Sequence, residues 1–352
     1  MRLDYTAKLK KIESYLTHFL PQNADKSWQQ QAFSELPCCL TAQHAEGLLA
    51  PCRDLVARGG KRWRPLLLVL CAEAAAAHAK QPHTDLAYEL TPLVEFVHTA
   101  SLIHDDIEDS ADTRRGKPAV HIAYGLDTAL NAGSWLYFQA AVCIEAAPAD
   151  PQLKAAIYAL YMEQLRRLHL GQALDIGWHR TDSANPSIDE YIAMVTLKTG
   201  TLAALAAGIG TLVGSGSAQL AQTTARAAAS IGAAFQIYDD IANLTAGNPG
   251  KKRGDDIVEG KKSLPLLLHL KQHPEQAADI AAYLAQAKAE GIDSPAVDAC
   301  IARITSGSAL DDAKQQAAAM LDGACADLTA VFADAPAEAK NITDFFNALL
   351  TA

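Results

Sequence analysis

The chain has 352 residues, half of them hydrophobic, with 20% charged, 6% aromatic and a formal net charge of −10. That length is ample for a buried core, and the acidity argues against a nucleic-acid partner, which needs a positive footprint. A polyanionic small substrate would have to be met by local basic clusters or by metal ions.

The N-terminal stretch MRLDYTAKLKKIESYL has no apolar core of signal-peptide length. Residues 1–50 read as peripheral helices without chemistry. Seven cysteines are scattered without a CxxC pair, so a reduced, cytoplasmic protein without structural zinc is expected. Apolar periodicity resumes after GGKRWRP (59–65) in LLLVLCAEAAAAHA. Thr91-Pro92 opens a second helix, proline being favoured in the first turn. Leu93, Val97, Ala100, Ile103 and Ile107 form its apolar stripe. The loop SADTRRGKP ends it. Helices follow over about 126–146 and 151–178, punctuated by Pro148 and Pro151. Ser187 and Glu190 make a capping-box pattern before YIAMVTLKTGTLAALAAG. Within that segment, the apolar run Leu202 to Val213 is too short to span a bilayer and reads as a buried helix, so no transmembrane segment is expected. A helix over roughly 217–244, the polar loop TAGNPGKKRGDD and a helix restarting at SLPLLLHLKQH come next; alanine-rich helices fill 274–352. Alanine is the best helix former, and no strand-length alternation is visible. The expected fold is all-α, a single domain over 1–352 of ten or more helices packed as a bundle.

Five carboxylates fall between Asp105 and Asp112. Residues four apart share a helical face, so Asp105 and Asp109 point one way with Asp106 beside them; His98 and Ser101 lie near that face. A solvated helix end is the plain alternative, but acid at a helix C-terminus is opposed by the macrodipole. The pattern recurs in FQIYDDIAN, where Gln236, Asp239, Asp240 and Asn243 share a face. Stacked carboxylates call for a hard divalent cation with oxygen ligands. If the two helices face each other in a bundle, they build a two-sided metal clamp.

Basic clusters accompany them: Lys61, Arg62 and Arg64 after Gly59-Gly60; Arg114-Arg115; Lys251, Lys252 and Arg253; and Lys261-Lys262. Singly, such clusters are most often surface solvation. Lys198 differs, because a cation in an apolar segment needs a partner or a cavity. Carboxylate faces together with basic clusters suit two anions, one held through metal and one directly by Arg and Lys; diphosphates fit. No Walker loop, Rossmann fingerprint, G-x-S-x-G or H-E-x-x-H occurs.

Six ordered motifs, GGKRWRP, DDIED, RRGKP, LKTG, FQIYDD and GKKRGDDIVEGKKSLP, span residues 59–265. Together they resemble those of the trans-isoprenyl diphosphate synthases. The resemblance implies an all-α prenyltransferase fold around a deep central cavity, usually in a homodimer. It implies Mg²⁺-dependent head-to-tail (1′-4) condensation of isopentenyl diphosphate with an allylic diphosphate (dimethylallyl, geranyl or farnesyl), releasing diphosphate. Carried over by motif, Asp105 and Asp109, supported by Asp106, bind Mg²⁺ on the allylic diphosphate. Asp239 binds a third ion, assisted by Asp240. Arg114, Lys198, Lys251 and Lys261 contact the allylic diphosphate, and Lys61, Arg64, His98 and Arg115 hold isopentenyl diphosphate. Thr199, Gln172, Asp175 and Gln236 line the reacting centre. Asn243 stands where the family usually has a third Asp, which implies weaker third-metal binding or an altered second shell, not inactivity.

Residues four and five places before the first Asp help limit chain growth in this family. Here they are Ser101 and Ala100, both small. A product beyond fifteen carbons is expected, geranylgeranyl diphosphate first, with longer polyprenyl or farnesyl diphosphate as alternatives. Trp135, Tyr137 and Phe138 are candidates for a deeper floor. A class I terpene cyclase has no need of a second diphosphate site such as GGKRWRP with Arg115. A non-catalytic subunit of a heteromeric synthase is the rival outside enzymes, kept alive by DDIAN.

Overall fold

The computed structural model describes residues 4–82, 85–180, 185–247 and 252–350. Helices dominate it: α1 (Thr6–Phe19), α2 (Lys26–Phe33), α3 (Ala42–Ala57), α4 (Trp63–His78), α5 (Leu86–Glu89), α6 (Thr91–Glu108), α7 (Val120–Tyr124), α8 (Leu126–Ala146), α9 (Pro151–Arg180) and α10 (Ile188–Val195). A π turn (Thr196–Gly200) leads into α11 (Thr201–Ser215), followed by α12 (Ala218–Leu244), α13 (Asp255–Glu259), α14 (Leu264–Gln272), α15 (Ala277–Glu290), α16 (Pro295–Thr305), α17 (Ala309–Val331) and α18 (Pro336–Leu350). The all-α architecture expected from the sequence is the one adopted. The local signals behave as their chemistry dictates. Pro92 sits in the first turn of α6. The Ser187 hydroxyl accepts from Glu190 N at 3.2 Å, while Glu190 Oε2 accepts from Ser187 N at 2.7 Å.

One element departs from the sequence reading. Thr113–Arg114 (β1) pairs antiparallel with Lys117–Pro118 (β2). Arg115 and Gly116 between them have φ of 54° and 74°, the two positive values of a type I′ hairpin turn. Two-residue strands are too short to leave an alternating hydrophobic pattern.

The chain divides into two compact units. The first comprises residues 1–163, 205–225 and 329–345; the second comprises 164–204, 226–328 and 346–352. In the first, α6 and α8 run side by side in opposite directions. Gly133 of α8 meets Ile103 and His104 of α6, and the Cys143 thiol lies near the Leu93 backbone. Phe96, Leu93, Ala100, Leu136 and Ala140 are fully buried; each such leucine contributes about 1.5–3 kcal/mol. Helix α4 is apolar nearly all round, and a Cβ on Gly210 of α11 would lie 2.1 Å from the Leu68 carbonyl, so α11 rests directly on its backbone. In the second unit, α10 packs on α14, and α13, α15 and α16 pack together. The helical run Ile188–Ser215 is long and apolar enough to cross a membrane, but 67% of its apolar window is buried in the protein, which accounts for its composition.

Candidate active site

The first unit gathers basic groups of two motifs, GGKRWRP and RRGKP, around Glu95. Arg64, in the first turn of α4, places its guanidinium 4.3 Å over the Trp63 ring and Nη1 3.4 Å from His98 Nε2. Arg115, at the hairpin tip, donates to the Gly59 carbonyl and more weakly to Leu55 O at 3.4 Å. Its guanidinium lies 3.1 Å from where a Gly60 Cβ would stand, and Gly60 has φ of 146°, so a side chain there would strain the backbone and press on Arg115. Burial lowers the Arg64 pKa to about 10, Glu95 opposing and Arg115 adding to the fall. Burial also lowers Arg115, and Arg62, Arg114 and Arg58 repel it. His98 is held well below its usual range by burial and by the same guanidinia, so it is neutral at pH 7. Crowded, partly desolvated cations are stabilised by an incoming polyanion. Lys61 is exposed beside them.

The first acidic motif splits by orientation. Asp105 and Asp109 are half-buried near the end of α6. Asp106 is fully buried, and its Oδ1 accepts from Arg114 Nε at 2.7 Å and from Nη2. Asp105 lies 3.6 Å from Arg114. Burial raises the Asp106 carboxyl, against the pull of Arg114. Arg114 is opposed by burial, but Asp106, Asp105 and Asp109 hold it above its usual value. Arg58 fixes the hairpin, donating to Arg114 O at 3.0 Å and Pro118 O at 2.8 Å while pairing with Asp54 at 2.6 Å. Sequence reading gave Arg58, Asp54 and Glu95 no role.

In the second unit the π turn carries LKTG. A π turn inserts an extra residue into the helix and recurs at functional sites; here it presents Lys198 and Thr199. Lys198 Nζ donates to the buried Asp175 at 2.6 Å. Burial raises Asp175, but Lys198 and Lys261 outweigh it and hold the carboxyl below its usual value. Thr199 Oγ1 donates to Gln236 Oε1 at 2.9 Å, and Gln236 Nε2 donates to Asp240 Oδ1 at 3.1 Å. Asp240 Oδ2 accepts from Tyr191 OH at 2.5 Å and from Leu264 N at 3.3 Å. Burial lifts Asp240 to about 6. Asp240 is therefore the hub that orients Gln236, while Asp239 next to it is exposed. Tyr191, the buried donor to this hub, carried no sequence signal beyond its apolar ring. Gln172 is half-buried one turn before Asp175. Lys261 is ion-paired with Glu259. Lys251 lies outside the described residues.

Asn243 is turned inward. It is fully buried, its Oδ1 accepts from Asp256 N at 3.3 Å, and its backbone carbonyl accepts from Gly254 N at 3.0 Å. It ties the KKRGDD loop to α12. Of the proposed floor residues, Phe138 is 76% exposed and faces away from the core, Trp135 stacks on Phe33, and Tyr137 is buried beside His104. Ala100 is fully buried, and the Ser101 hydroxyl donates to its own helix at His98 O, 2.8 Å away.

Glycine sets the approach to the π turn. A Cβ on Gly171 would lie 2.4 Å from Lys198 N, and one on Gly200 2.5 Å from Ala229 O. A helix-interior Gly→Ala change ordinarily gains about 0.5–1 kcal/mol. At Gly171 the clash reverses the sign: Gly171→Ala is expected to cost about 1–3 kcal/mol in chemical denaturation, with Lys198 displaced.

The all-α fold is that of prenyl-transferring enzymes, and comparison with known proteins gives the family. The family model for polyprenyl synthetases matches residues 45–300. The chain is 37% identical over 227 residues to a geranylgeranyl diphosphate synthase of Methanosarcina mazei, covering 64% of this chain and 68% of that one. It is 32% identical over 302 residues to a geranylfarnesyl diphosphate synthase of Natronomonas pharaonis, covering 79% and 82% respectively. The crystal structure of a geranylgeranyl pyrophosphate synthase from Corynebacterium glutamicum, complexed with isoprenyl diphosphate and magnesium, superposes with a TM-score of 0.78 at 26% identity, over 97% of this chain and 100% of that one. The chain belongs to the polyprenyl synthetase family and is a prenyltransferase of the trans-isoprenyl diphosphate synthase type.

Proposed function

We propose that the protein makes geranylgeranyl diphosphate, adding isopentenyl diphosphate to an allylic diphosphate, and that both units of the chain serve one prenyl synthase domain. The observation that carries the product length is Ala100, a fully buried methyl-sized side chain five residues before Asp105, with Ser101 tied back to its own helix. Neither offers bulk to stop a growing chain. The names of the Methanosarcina and Natronomonas relatives agree with twenty carbons or somewhat more.

The donor set suits Mg²⁺. Asp105 and Asp109 supply hard oxygens one turn apart, and Asp239 supplies another at the second motif. Mg²⁺ keeps waters and substrate phosphates in its shell, so a few carboxylate oxygens suffice to hold it. When bound, Mg²⁺ supplies neutralisation of the leaving diphosphate. The chain's own cations do the rest: Arg114, Lys198 and Lys261 offset the charge that develops as the allylic C–O bond ionises. Arg64, Arg115 and Lys61 hold isopentenyl diphosphate so that its alkene attacks the carbocation. The released diphosphate takes the final proton.

We assign the enzyme to the cytoplasm as a homodimer. Leu126, Leu130 and Phe138 lie along one exposed side of α8, with Ile122 on α7 nearby; an apolar patch of this kind marks an interface. Light scattering on the purified protein should give twice the chain mass, and Phe138→Glu with Leu130→Glu should give one chain mass. A wild-type monomer would end that assignment.

Product analysis tests the main reading. Pure protein with farnesyl and isopentenyl diphosphates and Mg²⁺ should release diphosphate and yield a C20 chain. Ala100→Phe should shorten the product. Longer chains would point to a polyprenyl synthase, a cyclic hydrocarbon to a terpene cyclase, and no turnover by folded protein to a non-catalytic subunit. An unchanged product from Ala100→Phe would remove that residue from the tunnel wall.

A further inference from the structure

We infer that Glu13, on the N-terminal helix α1, is a positioning residue for isopentenyl diphosphate, acting through Arg62. The inference rests on the reading of the 59–64 segment as the isopentenyl diphosphate half-site. Arg62 stands in the middle of a basic cluster, yet it is only 6% exposed. Each of its guanidinium nitrogens is engaged by the protein. Nε donates to Glu13 at 2.7 Å, Nη1 donates to Glu95 at 2.7 Å and to Gly59 O at 3.4 Å, and Nη2 donates to Val56 O at 2.7 Å. Four of its five N–H donors are thus taken by the protein, so Arg62 serves as a clamp on the loop.

The clamp has something to hold. Arg62 adopts the left-handed conformation, φ 46° and ψ 29°, which a side-chain-bearing residue keeps only when its surroundings over-determine it. That reversal separates Lys61, on the loop, from Arg64, in the first turn of α4. The same loop supplies the Gly59 carbonyl that receives Arg115. One strained residue thus fixes the spacing of three cations expected to meet a single diphosphate. Of the two carboxylates on Arg62, Glu95 belongs to α6, within the core, whereas Glu13 comes from α1, whose Ile12, Leu16 and Phe19 are buried. Residues 1–50 carry no motif, and Glu13 gives them a part in substrate binding.

Steady-state kinetics test this. Glu13 is 48% exposed, so its replacement leaves no buried hole. Glu13→Ala is expected to raise KM for isopentenyl diphosphate about tenfold, the scale of one charge-assisted hydrogen bond. The kcat and the KM for farnesyl diphosphate should stay within about twofold. Glu13→Gln, which keeps an acceptor for Arg62 Nε, should restore most of the loss. KM does not depend on the folded fraction, so reduced yield leaves the test intact. Arg64→Gln is the reference. If it raises KM for isopentenyl diphosphate and Glu13→Ala does not, the half-site stands and the inference falls. If neither does, both fall. An equal rise in both KM values with Glu13→Ala also overturns the inference, because it reports a general loosening.

Discussion

Asp105→Ala is expected to lower kcat about 10²–10³-fold, the scale seen when one group that stabilises transition-state charge is removed, without shifting the unfolding midpoint. Asp105 is half-buried near the end of α6, and Arg114, 3.6 Å away, is held chiefly by Asp106. Removing its carboxylate therefore leaves the hairpin anchored. A second readout needs no turnover. Mg²⁺ with a non-ionisable allylic diphosphate analogue should raise the unfolding midpoint of the wild type, since a ligand that binds only the folded state stabilises it, and this rise should shrink in Asp105→Ala. Asp106→Asn is the informative contrast. Asp106 is fully buried with Arg114 on Oδ1, and among the described residues its Oδ2 has no hydrogen-bond partner. Its loss should appear first as lower stability and a displaced Arg114. If Asp106→Asn proves the more damaging to ligand-induced stabilisation, the roles assigned within DDIED are reversed.

How much of this was legible in the sequence depends on what each element encodes. Helix α6 was readable because its stripe, its Pro92 and its acidic end all lie on one segment. The capping box at Ser187 was readable for the same reason. The hairpin was not, because a type I′ turn normally announces itself with Asn-Gly and here uses Arg115-Gly116, a cation accepting positive φ because Gly59 O and Leu55 O receive its guanidinium. The π turn was equally hidden. LKTG reads as helix, and what distinguishes it is the close approach of Gly171 and the crossing of Gly200 with Gly232, contacts between distant segments. Paired acids look alike in one dimension. Asp105 with Asp106, and Asp239 with Asp240, each resolve into one carboxylate directed outward and one buried in hydrogen bonds. Asn243 shows the same limit: its sequence position left open a weaker third metal site or a change in the groups around it, and the contact of its side chain with the backbone of Asp256 is visible only in the fold.

The largest stability effect is expected at Glu95, which no motif singled out. It is 3% exposed and lies in the second turn of α6, 2.7 Å from Arg62 Nη1, with Arg64 and Arg115 close enough to act on its charge. Burial raises its carboxyl above the usual range, and the three guanidinia pull it back. A hydrophobic residue at this depth would pack well in a neutral neighbourhood, but here it would leave Arg62 with Glu13 alone. Breaking a buried ion pair from one side costs about 3–5 kcal/mol, because the remaining charge stays desolvated. Glu95→Ala should fall in that range by urea denaturation. Glu95→Gln, which keeps the shape and one acceptor, should cost less, about 1.5–3 kcal/mol, as for a hydrogen bond to a charged group. The double variant Glu95→Leu with Arg62→Met separates charge from packing. If uncompensated charge is the cause, removing both partners should recover most of the loss, while KM for isopentenyl diphosphate stays high because the 59–62 loop has lost its clamp. A double variant as unstable as Glu95→Ala would show that packing around Glu95, and not the ion pair, holds this end of α6 to α4.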